Sequence, residues 1–256
     1  PTEFPNVKFL FLETNLGFAH GNNAAVRVAS GDILFILNPD TAVAAGCISI
    51  LLAYLATHPD TGIAAPRLQY EDGRPQFSYN DPLTLWWELA EAFYFQDVLR
   101  MRTYKRDLGK IQRGEPFTVG WVSGAAMLIP RHIYKAVGGF DEDFFLMYED
   151  IGLCDRVRNL GYRIAIVPAA TVIHQDGGII AKNLTRLITN RYRARLVYVR
   201  KQYSWPAQAA TRLIHIIGLC VRILLSGFLY RGRIRSERLA GYTQSLAVYL
   251  GLSKFD

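Results

Sequence analysis

The sequence has 256 residues, of which half are hydrophobic and 20% are charged, enough for one α/β domain with a core plus an appendage. Three cysteines, odd in number and far apart, argue against a disulfide framework and fit a reducing cytosol. Residues 182–238 contain thirteen Lys and Arg and one acid, a net +12, so the total of +7 leaves −5 for the rest. A slightly acidic body with a basic tail indicates an anionic partner, either a membrane or a nucleic acid.

The first predicted element is a buried strand over residues 7–12, a short apolar run rich in Phe and Leu. A glycine-containing segment over residues 15–23 follows and opens a helix-prone stretch that Gly31 closes. A glycine-rich loop that opens a helix after a strand offers free N–H groups to phosphate oxygens. A plain turn between strand and helix explains the same pattern, so the segment by itself is a weak signal.

A second buried strand over residues 32–37 ends in the sequence Asn-Pro-Asp-Thr at residues 38–41. Open α/β sheets bind ligands at the carboxyl ends of their strands, and here that end carries an acid. The alternative is an Asx-Pro turn in which Asp40 or Thr41 caps the next helix, predicted over residues 44–57.

The middle of the chain holds two further predicted strands and an aromatic-rich helix. A short strand is predicted over residues 62–66. Residues 83–101 show an aromatic-rich helical pattern, which we interpret as a helix packed in the core. The alternative is that its aromatic side chains line a site for a lipid-linked acceptor or contact a membrane. Residues 121–129 predict a strand whose small central residues leave room for a ligand to approach the backbone. Tight packing of the strand against a helix explains those small residues nearly as well.

The most informative stretch, residues 138–156, sets five carboxylates among Phe, Leu, Met and Tyr residues: Asp141, Glu142, Asp143, Glu149 and Asp150. A solvated acidic run would lack such apolar neighbours, so some of these acids are expected to lie against the protein rather than in open water. Glu149 and Asp150 precede a helix predicted over residues 151–160, where a carboxylate can serve as a general base. The alternative is that Asp150 only caps that helix.

The C-terminal part begins with a strand predicted over residues 162–168, after which His174 follows. Residues 182–203 then predict a basic helix. The next segment, residues 207–230, is strongly apolar apart from six polar side chains, Gln208, Thr211, Arg212, His215, Arg222 and Ser226.

On a helix these six polar residues fall within one stripe, an arc of roughly 100°. A helix crossing the bilayer would bury Arg212 and Arg222 at a cost of about 2.5–3.5 kcal/mol each. A helix lying in the membrane interface keeps the stripe wet and buries the rest, which makes it the prediction here. Four arginines just beyond the segment would then favour anionic headgroups: Arg231, Arg233, Arg235 and Arg238. The alternatives are a helix packed on its own domain and a nucleic-acid contact, which the long apolar face disfavours.

Four segments in order carry a resemblance to a known family: residues 15–23 (NLGFAHGNN), 38–40 (NPD), 123–126 (SGAA) and 138–164 (GGFDEDFFLMYEDIGLCDRVRNLGYRI). They resemble the inverting family 2 glycosyltransferases of the GT-A fold, in particular the rhamnosyltransferase-like branch that builds bacterial surface polysaccharides. The likeness covers about residues 8–203. It implies an α/β fold with the Rossmann-like GT-A sheet of nucleotide-diphospho-sugar transferases.

The resemblance also implies roles for individual residues. Asp150 would be the general base, and Glu149 would orient it or the acceptor. The donor would contact Asn15, Gly17, Phe18, Gly21, Asn22, Asn38 and Asp40, and the acceptor Trp121, Ser123, Gly124, Asp141 and Asp143. Asp40 would bind Mg²⁺ or Mn²⁺ with His174 as a further ligand, although the first position of the family's Asp-x-Asp motif is Asn38 here. For His174 the alternative is a loop histidine hydrogen-bonded to a neighbouring carbonyl.

These expectations divide the chain into a GT-A catalytic domain over residues 1–181, expected to lack its first βαβ elements, and a basic helical membrane-association segment over residues 182–256. The predicted reaction moves a sugar, foremost L-rhamnose from dTDP-rhamnose, from a nucleotide-diphospho-sugar to a hydroxyl of a polyprenyl-linked glycan. The protein is expected to bind the anionic cytoplasmic face of the plasma membrane peripherally, and to bind no nucleic acid. The alternatives are transfer of another sugar, such as galactofuranose or N-acetylglucosamine, and an inactive sugar-nucleotide-binding module.

Overall fold

The computed structural model describes residues 4–175 and 183–252. Its helices span Phe18–Val28 (α1), Cys47–Thr57 (α2), Leu85–Ala92 (α3), Gln96–Arg113 (α4), Arg131–Ala136 (α5), Glu149–Asn159 (α6), Leu184–Gln202 (α7), Trp205–Leu229 (α8) and Gly232–Tyr249 (α9). Its strands span Ile33–Leu37 (β1), Thr41–Val43 (β2), Thr61–Gln69 (β3), Tyr79–Asn80 (β4), Phe117–Val119 (β5), Trp121–Val122 (β6), Ala126–Pro130 (β7) and Arg163–His174 (β8). The α/β class predicted from the sequence is confirmed.

A mixed sheet organises the part of the chain before α7. Its strands lie in the order β1-β7-β3-β8-β2, and β5 also pairs with β8. β3 and β8 run parallel, whereas β7 runs antiparallel to both β1 and β3. The carboxyl ends of β1, β3 and β8 therefore lie at the same end of the sheet. Leu37 pairs with Ala126, which places the start of β7 at that end as well.

Helices cover both faces of this sheet, because successive residues of a strand point to opposite sides. On β3, Ile63 belongs to a hydrophobic cluster with Leu153 of α6, whereas Ala64 belongs to a second cluster with Leu51 of α2. All five residues of β7 are buried. The near-continuous apolar runs that predicted the strands reflect this burial on both faces.

The strand predicted over residues 7–12 is wrong. These residues form no strand and pair with no other strand among the described residues, and Phe11 is 81% exposed. An apolar run becomes a strand only where a neighbour supplies backbone hydrogen bonds.

Two other predicted elements are interrupted. The strand predicted over residues 121–129 is divided into β6 and β7, with residues 123–125 between them. The helical pattern over residues 83–101 is divided into α3 and α4 near Tyr94, which has a φ of +67°. Each interruption is a short irregular segment, residues 123–125 between β6 and β7 and residues 93–95 between α3 and α4.

The C-terminal helices pack into a layer in which α9 contacts α7 and α8, and α3 contacts α8. Four of the six polar residues of the predicted stripe on α8 are buried: Thr211, His215, Arg222 and Ser226. The expectation that this stripe faces water is therefore wrong. The opposite, apolar side of α8 is exposed at Leu213, Leu224 and Phe228.

The arginines of the stripe bind the ends of neighbouring helices. Arg222 donates to the carbonyl oxygens of Ala92 (3.2 Å) and Glu91 at the end of α3. Arg212 donates to the carbonyl oxygen of Tyr249 at the end of α9, at 2.6 Å. The last carbonyls of a helix lack intrahelical partners and carry partial negative charge, so these contacts stabilise the buried Arg222 and the exposed Arg212.

Within the described residues, α8 is a helix long and apolar enough to cross a membrane, judged by length and composition. The predicted boundary between residues 181 and 182, and with it the start of the predicted basic helix at Lys182, lies outside the described residues. The described part of that helix is α7, which begins at Leu184.

Two glycines of α8 provide a test of its packing on α3. A Cβ atom at Gly218 would lie 2.8 Å from both the Cβ and the carbonyl oxygen of Ala92, whereas a Cβ at Gly227 would have no neighbour within 4 Å. We expect Gly218→Ala to lower the free energy of unfolding by about 1–3 kcal/mol, because α3 and α8 must separate. Gly227→Ala should raise it by up to about 1 kcal/mol through helix propensity. Urea denaturation measures both, and equal effects would contradict the packing.

Candidate functional site

The carboxyl ends of β1 and β8 bring Asp40 and His174 together. Thr41 of β2 pairs with His174 of β8, so the residue before Thr41 lies beside the imidazole. The Nε2 atom of His174 is 3.2 Å from Oδ1 of Asp40 and 3.4 Å from Nδ2 of Asn38. The predicted proximity of Asp40 and His174 is confirmed. Because residues 41–43 form a strand, the alternative in which Asp40 or Thr41 caps a helix is wrong.

Gln76, which the sequence did not single out, orients the imidazole of His174. Its Oε1 atom lies 2.9 Å from Nδ1, which leaves Nε2 facing Asp40. Histidines that bind metals usually hold the second ring nitrogen in this way. The alternative of a histidine bonded to a backbone carbonyl is thus not the contact observed.

The Asp40–His174 pair fits a divalent cation only in combination with oxygens from a ligand. No group of three or more His, Cys, Asp or Glu side chains that could hold a metal is found in the described part of the chain. Mg²⁺ is commonly bound by one or two carboxylates together with substrate phosphates. The pair therefore suits a metal that arrives with a diphosphate.

Asp150 is linked to the same end of the sheet through the backbone between β6 and β7. The Asn38 N–H donates to the carbonyl oxygen of Ala125 at 2.9 Å, and the Gly124 N–H donates to Oδ2 of Asp150 at 3.0 Å. The other oxygen, Oδ1, accepts from the Ile151 N–H at 2.8 Å. Both carboxylate oxygens are thus oriented by the backbone, and each keeps a further lone pair.

The structure excludes one interpretation of Asp150, that it is the capping residue of the helix. Helix α6 spans Glu149–Asn159 and its N-cap is Tyr148, so Asp150 lies inside the first turn. The alternative in which Asp150 is the capping residue is wrong. Burial raises the pKa of Asp150, and the hydrogen bonds from Gly124 and Ile151 oppose that rise.

Glu149, next to Asp150, is an acid that burial keeps protonated. Its side chain is buried, and its Oε2 atom has no hydrogen-bond partner among the described residues. Burial and the neighbouring charge of Asp150 raise the pKa of Glu149 to about 8. At neutral pH it can therefore donate a hydrogen bond.

The donor segment predicted at residues 15–22 contacts residues 138–148, the loop before α6, which is called the acidic loop below. Gly17 has a φ of +94°, and a Cβ atom there would lie 2.1 Å from the carbonyl oxygen of Phe145. The Phe18 N–H donates to that same oxygen at 3.1 Å, and the Asn15 side chain accepts from the Gly17 N–H at 3.0 Å. The requirement for glycine at residue 17 is thus explained by close backbone approach.

Two other members of the donor segment differ in their surroundings. A Cβ atom at Gly21 would meet nothing within 4 Å, so the space beside it is open. The amide of Asn22 donates to the carbonyl oxygen of Phe18 within α1 at 2.9 Å. Gly21 is therefore free to lie beside a ligand, whereas the amide of Asn22 is used inside its own helix.

Asn23 is a structural residue that the sequence analysis missed. Its Nδ2 donates to the carbonyl oxygen of Phe140 at 2.8 Å, and its Oδ1 accepts from the Phe140 N–H at 3.0 Å. Tyr134 also donates to Oδ1, at 2.5 Å. Asn23 thereby joins α1 to the start of the acidic loop. The only sequence feature that could have indicated this role is the Asn-Asn pair at residues 22–23.

The candidate acceptor residues fall into two groups. Asp141 and Asp143 lie 2.5 Å and 2.6 Å from Nζ of Lys201 on α7, so these acids bind the C-terminal helices. Trp121 and Ser123 instead lie in the segment that leads to Gly124 and Asp150. The indole Nε1 of Trp121 is buried and has no hydrogen-bond partner among the described residues.

The raised pKa of Glu149 predicts a dependence of stability on pH. The folded protein retains a proton that the unfolded chain releases above pH 4.5, so stability should fall as pH rises from about 4.5 to about 8, with a slope of up to about 1.4 kcal/mol per unit. Glu149→Gln should flatten this slope in urea denaturation series, because the amide carries no such proton. The exposed Glu13→Gln should keep the wild-type slope. An unchanged slope in Glu149→Gln would contradict the assignment.

Comparison with known proteins identifies the family. A family model described as glycosyltransferase like family 2 matches residues 2–195. The N-acetylglucosaminyl-diphospho-decaprenol L-rhamnosyltransferase of Mycobacterium tuberculosis (strain CDC 1551 / Oshkosh) is 25% identical over 253 residues, 92% of this chain and 81% of that protein. Rhamnosyltransferase WbbL of Escherichia coli (strain K12) is 27% identical over 165 residues, 62% of this chain and 60% of that protein.

Among solved structures, the crystal structure of GalNAc-T7 with UDP, GalNAc and Mn²⁺ aligns with a TM-score of 0.48 and 15% identity, over 94% of this chain and 44% of that chain. The family match extends from the donor segment through the acidic loop to α7. The chain therefore belongs to glycosyltransferase family 2 and is similar to its rhamnosyltransferases.

Proposed function

We propose that this chain is an inverting transferase that moves a sugar from a nucleotide-diphospho-sugar to a hydroxyl of a polyprenyl-linked glycan. The observation that carries the proposal is the backbone link from Asn38 through Ala125 and Gly124 to Asp150, which ties this half-buried carboxylate to the end of the sheet that holds the Asp40–His174 pair. Similarity to rhamnosyltransferases, one of which acts on a diphospho-decaprenol acceptor by its name, supports dTDP-L-rhamnose as the donor.

Asp150 acts as the general base in this proposal. Its carboxylate takes the proton from the acceptor hydroxyl while the oxygen attacks the anomeric carbon. The bond from that carbon to the diphosphate breaks, and the nucleotide diphosphate leaves with the electron pair. Burial favours this role, because a carboxylate with a raised pKa is a stronger base. The backbone donors at Gly124 and Ile151 hold both oxygens in place.

Asp40 and His174 hold the metal in this proposal, with Gln76 fixing the imidazole. A bound Mg²⁺ or Mn²⁺ would offset the charge of the departing diphosphate. The proposed binding site for the nucleotide-sugar donor also includes Asn15, Gly17, Phe18, Gly21, Asn22 and Asn38.

In this proposal the acceptor is oriented by polar groups that have no hydrogen-bond partner among the described residues. The indole N–H of Trp121 and the protonated carboxyl of Glu149 are both buried and unpaired among the described residues. An acceptor sugar hydroxyl would satisfy either, and a buried unsatisfied donor is costly until it is paired. Ser123 and Gly124 follow Trp121 closely along the chain. Asp141 and Asp143 complete the proposed acceptor site.

Peripheral binding to the cytoplasmic face of the plasma membrane is the second part of the proposal. The exposed side of α8 is apolar at Leu213, Ile217 and Leu224. The exposed Trp86 of α3 and Phe95, the N-cap residue of α4, line an open, mostly apolar groove of about 650 Å³. Exposed apolar side chains of this kind are expected at a surface that contacts a membrane.

Replacing the base tests the reaction. We expect Asp150→Asn to lower the rate of sugar transfer by about 10²–10⁴-fold and to leave donor affinity nearly unchanged, since an amide keeps the shape but cannot accept the proton. Rates come from radiolabelled transfer with dTDP-rhamnose and, in parallel, donors carrying galactofuranose or N-acetylglucosamine; affinities come from calorimetry.

The matched control is Glu142→Gln, an acid in the loop before α6 whose carboxylate is bound to His20 and Asn23. It should transfer at close to the wild-type rate. Near wild-type transfer by Asp150→Asn would refute the base assignment. Donor binding without transfer in the wild type would instead identify a sugar-nucleotide-binding module.

Vesicle flotation tests the membrane contact. Replacing Leu213, Ile217 and Leu224 together with Ser should release the protein from vesicles that contain anionic phospholipid, because their burial supplies most of the binding. Ile48→Ser with Leu52→Ser, which removes exposed apolar side chains from α2, should leave flotation unchanged. Replacing Arg231 and Arg235 with Gln should weaken binding and reduce its salt dependence. Equal binding of the wild type to neutral and anionic vesicles would contradict the contact.

A further inference from the structure

A buried charged cluster joins α3, α7 and α8 beneath the candidate site. Arg195 of α7 is 1% exposed and contacts Glu91 and Oε2 of Glu88, the latter at 3.2 Å. His215 of α8 places its Nε2 2.7 Å from the same Glu88 oxygen. Burial and the charge of Arg195 lower the pKa of His215, so a neutral imidazole can donate to Glu88. Two carboxylates thus hold the guanidinium of Arg195 in one orientation.

Two further hydrogen bonds of Arg195 lead to the site. Its Nε and Nη2 atoms both donate to the hydroxyl oxygen of Tyr148, at 3.0 Å and 2.6 Å. Tyr148 immediately precedes Glu149 and Asp150 and is the N-cap residue of α6. The planar fork of an arginine suits such a double contact, which a lysine ammonium cannot reproduce.

The backbone at this point is strained. Met147 and Tyr148 have φ angles of +71° and +68°, in the left-handed region that is unfavourable for residues other than glycine. Tyr148 makes no capping hydrogen bond from its side chain to α6. Such a conformation persists only when surrounding contacts enforce it, and strain of this kind clusters at functional sites.

We infer that Arg195 is a positioning residue, which acts through Tyr148 to hold the strained turn that aims the carboxylate of Asp150. The inference rests on the proposed function for the consequence in catalysis. The turn sets where α6 begins, and so sets the distance from Asp150 to the Gly124 N–H, 3.0 Å here. A displacement of about 1 Å at a reacting group can lower a rate by about 10²-fold.

A second tyrosine provides a matched comparison. Tyr198 also lies on the α6–α7 contact, belongs to the same hydrophobic cluster as Tyr148, and donates from its hydroxyl to Oδ2 of Asp155 at 2.6 Å. Both rings are buried. Asp155, however, lies in the second turn of α6, away from the strained turn. Loss of the Tyr198 hydroxyl thus removes a buried hydrogen bond, keeps the ring in place, and does not release residues 147–148.

The experiment compares Tyr148→Phe with Tyr198→Phe in the full chain. We expect both variants to lose a similar amount of thermal stability. Only Tyr148→Phe should lower kcat, by about 10- to 100-fold, with the KM for the donor unchanged. Arg195→Lys, which keeps a positive charge beside Glu88 and Glu91, should lower kcat similarly. The double variant Tyr148→Phe with Arg195→Lys should be no slower than the slower single variant, because both changes break the same contact.

A second measurement is independent of transfer. Amide hydrogen exchange at Gly124 and Ile151, whose N–H groups bind Asp150, should become faster in Tyr148→Phe and stay unchanged in Tyr198→Phe. Equal kcat losses in the two tyrosine variants, multiplied losses in the double variant, or unchanged exchange in Tyr148→Phe would overturn the inference. An inactive wild type would refute the proposed function instead, and the exchange measurement alone would then decide whether Tyr148 holds the turn.

Discussion

The hydrogen bond from the Gly124 N–H to Asp150, 3.0 Å long, is the contact on which the site depends. It is made by the irregular residues 123–125, which connect β6, paired with β4 in a two-stranded sheet, to β7 of the main sheet, and space for a side chain at position 124 is tight. A Cβ atom there would lie 3.2 Å from the ring of Phe18 and 3.5 Å from the Cβ of Asp150. The donor segment, the strand end and α6 therefore meet at one glycine.

The C-terminal helices support this site through ion pairs and hydrogen bonds to the residues around it. Arg195, held by Glu88 and Glu91, reaches the turn before Asp150, and Lys201 binds Asp141 and Asp143 in the acidic loop. Buried charges are costly unless they are paired, and the buried Arg195 is paired with two carboxylates of α3, whereas the Lys201 pairs are partly exposed. The basic tail is thus an integral part of the structure around the site.

The same helices place apolar surface outward. The polar stripe of α8 satisfies the open carbonyl ends of α3 and α9, which leaves Leu213, Leu224 and Phe228 exposed. The polar side of α8 can face the protein because the ends of α3 and α9 supply hydrogen-bond acceptors for its arginines. The hydrocarbon region of a membrane has no such acceptors, so the apolar side is the one suited to face it. Membrane binding would then leave the buried charges undisturbed.

Apolar runs predicted the α/β class and most strand positions, because burial of a strand on both faces leaves a local pattern in the sequence. The resemblance to a family, rather than any local pattern, led us to expect His174 close to Asp40. The covered face of α8 could not be predicted, since a helical period shows which residues share a side and not what lies against it. The same holds for residues 7–12, whose apolar character needs a partner strand to become a strand. The contact of Arg195 with Tyr148 joins positions 47 residues apart. No local pattern encodes it, because it exists only when α7 packs against the start of α6.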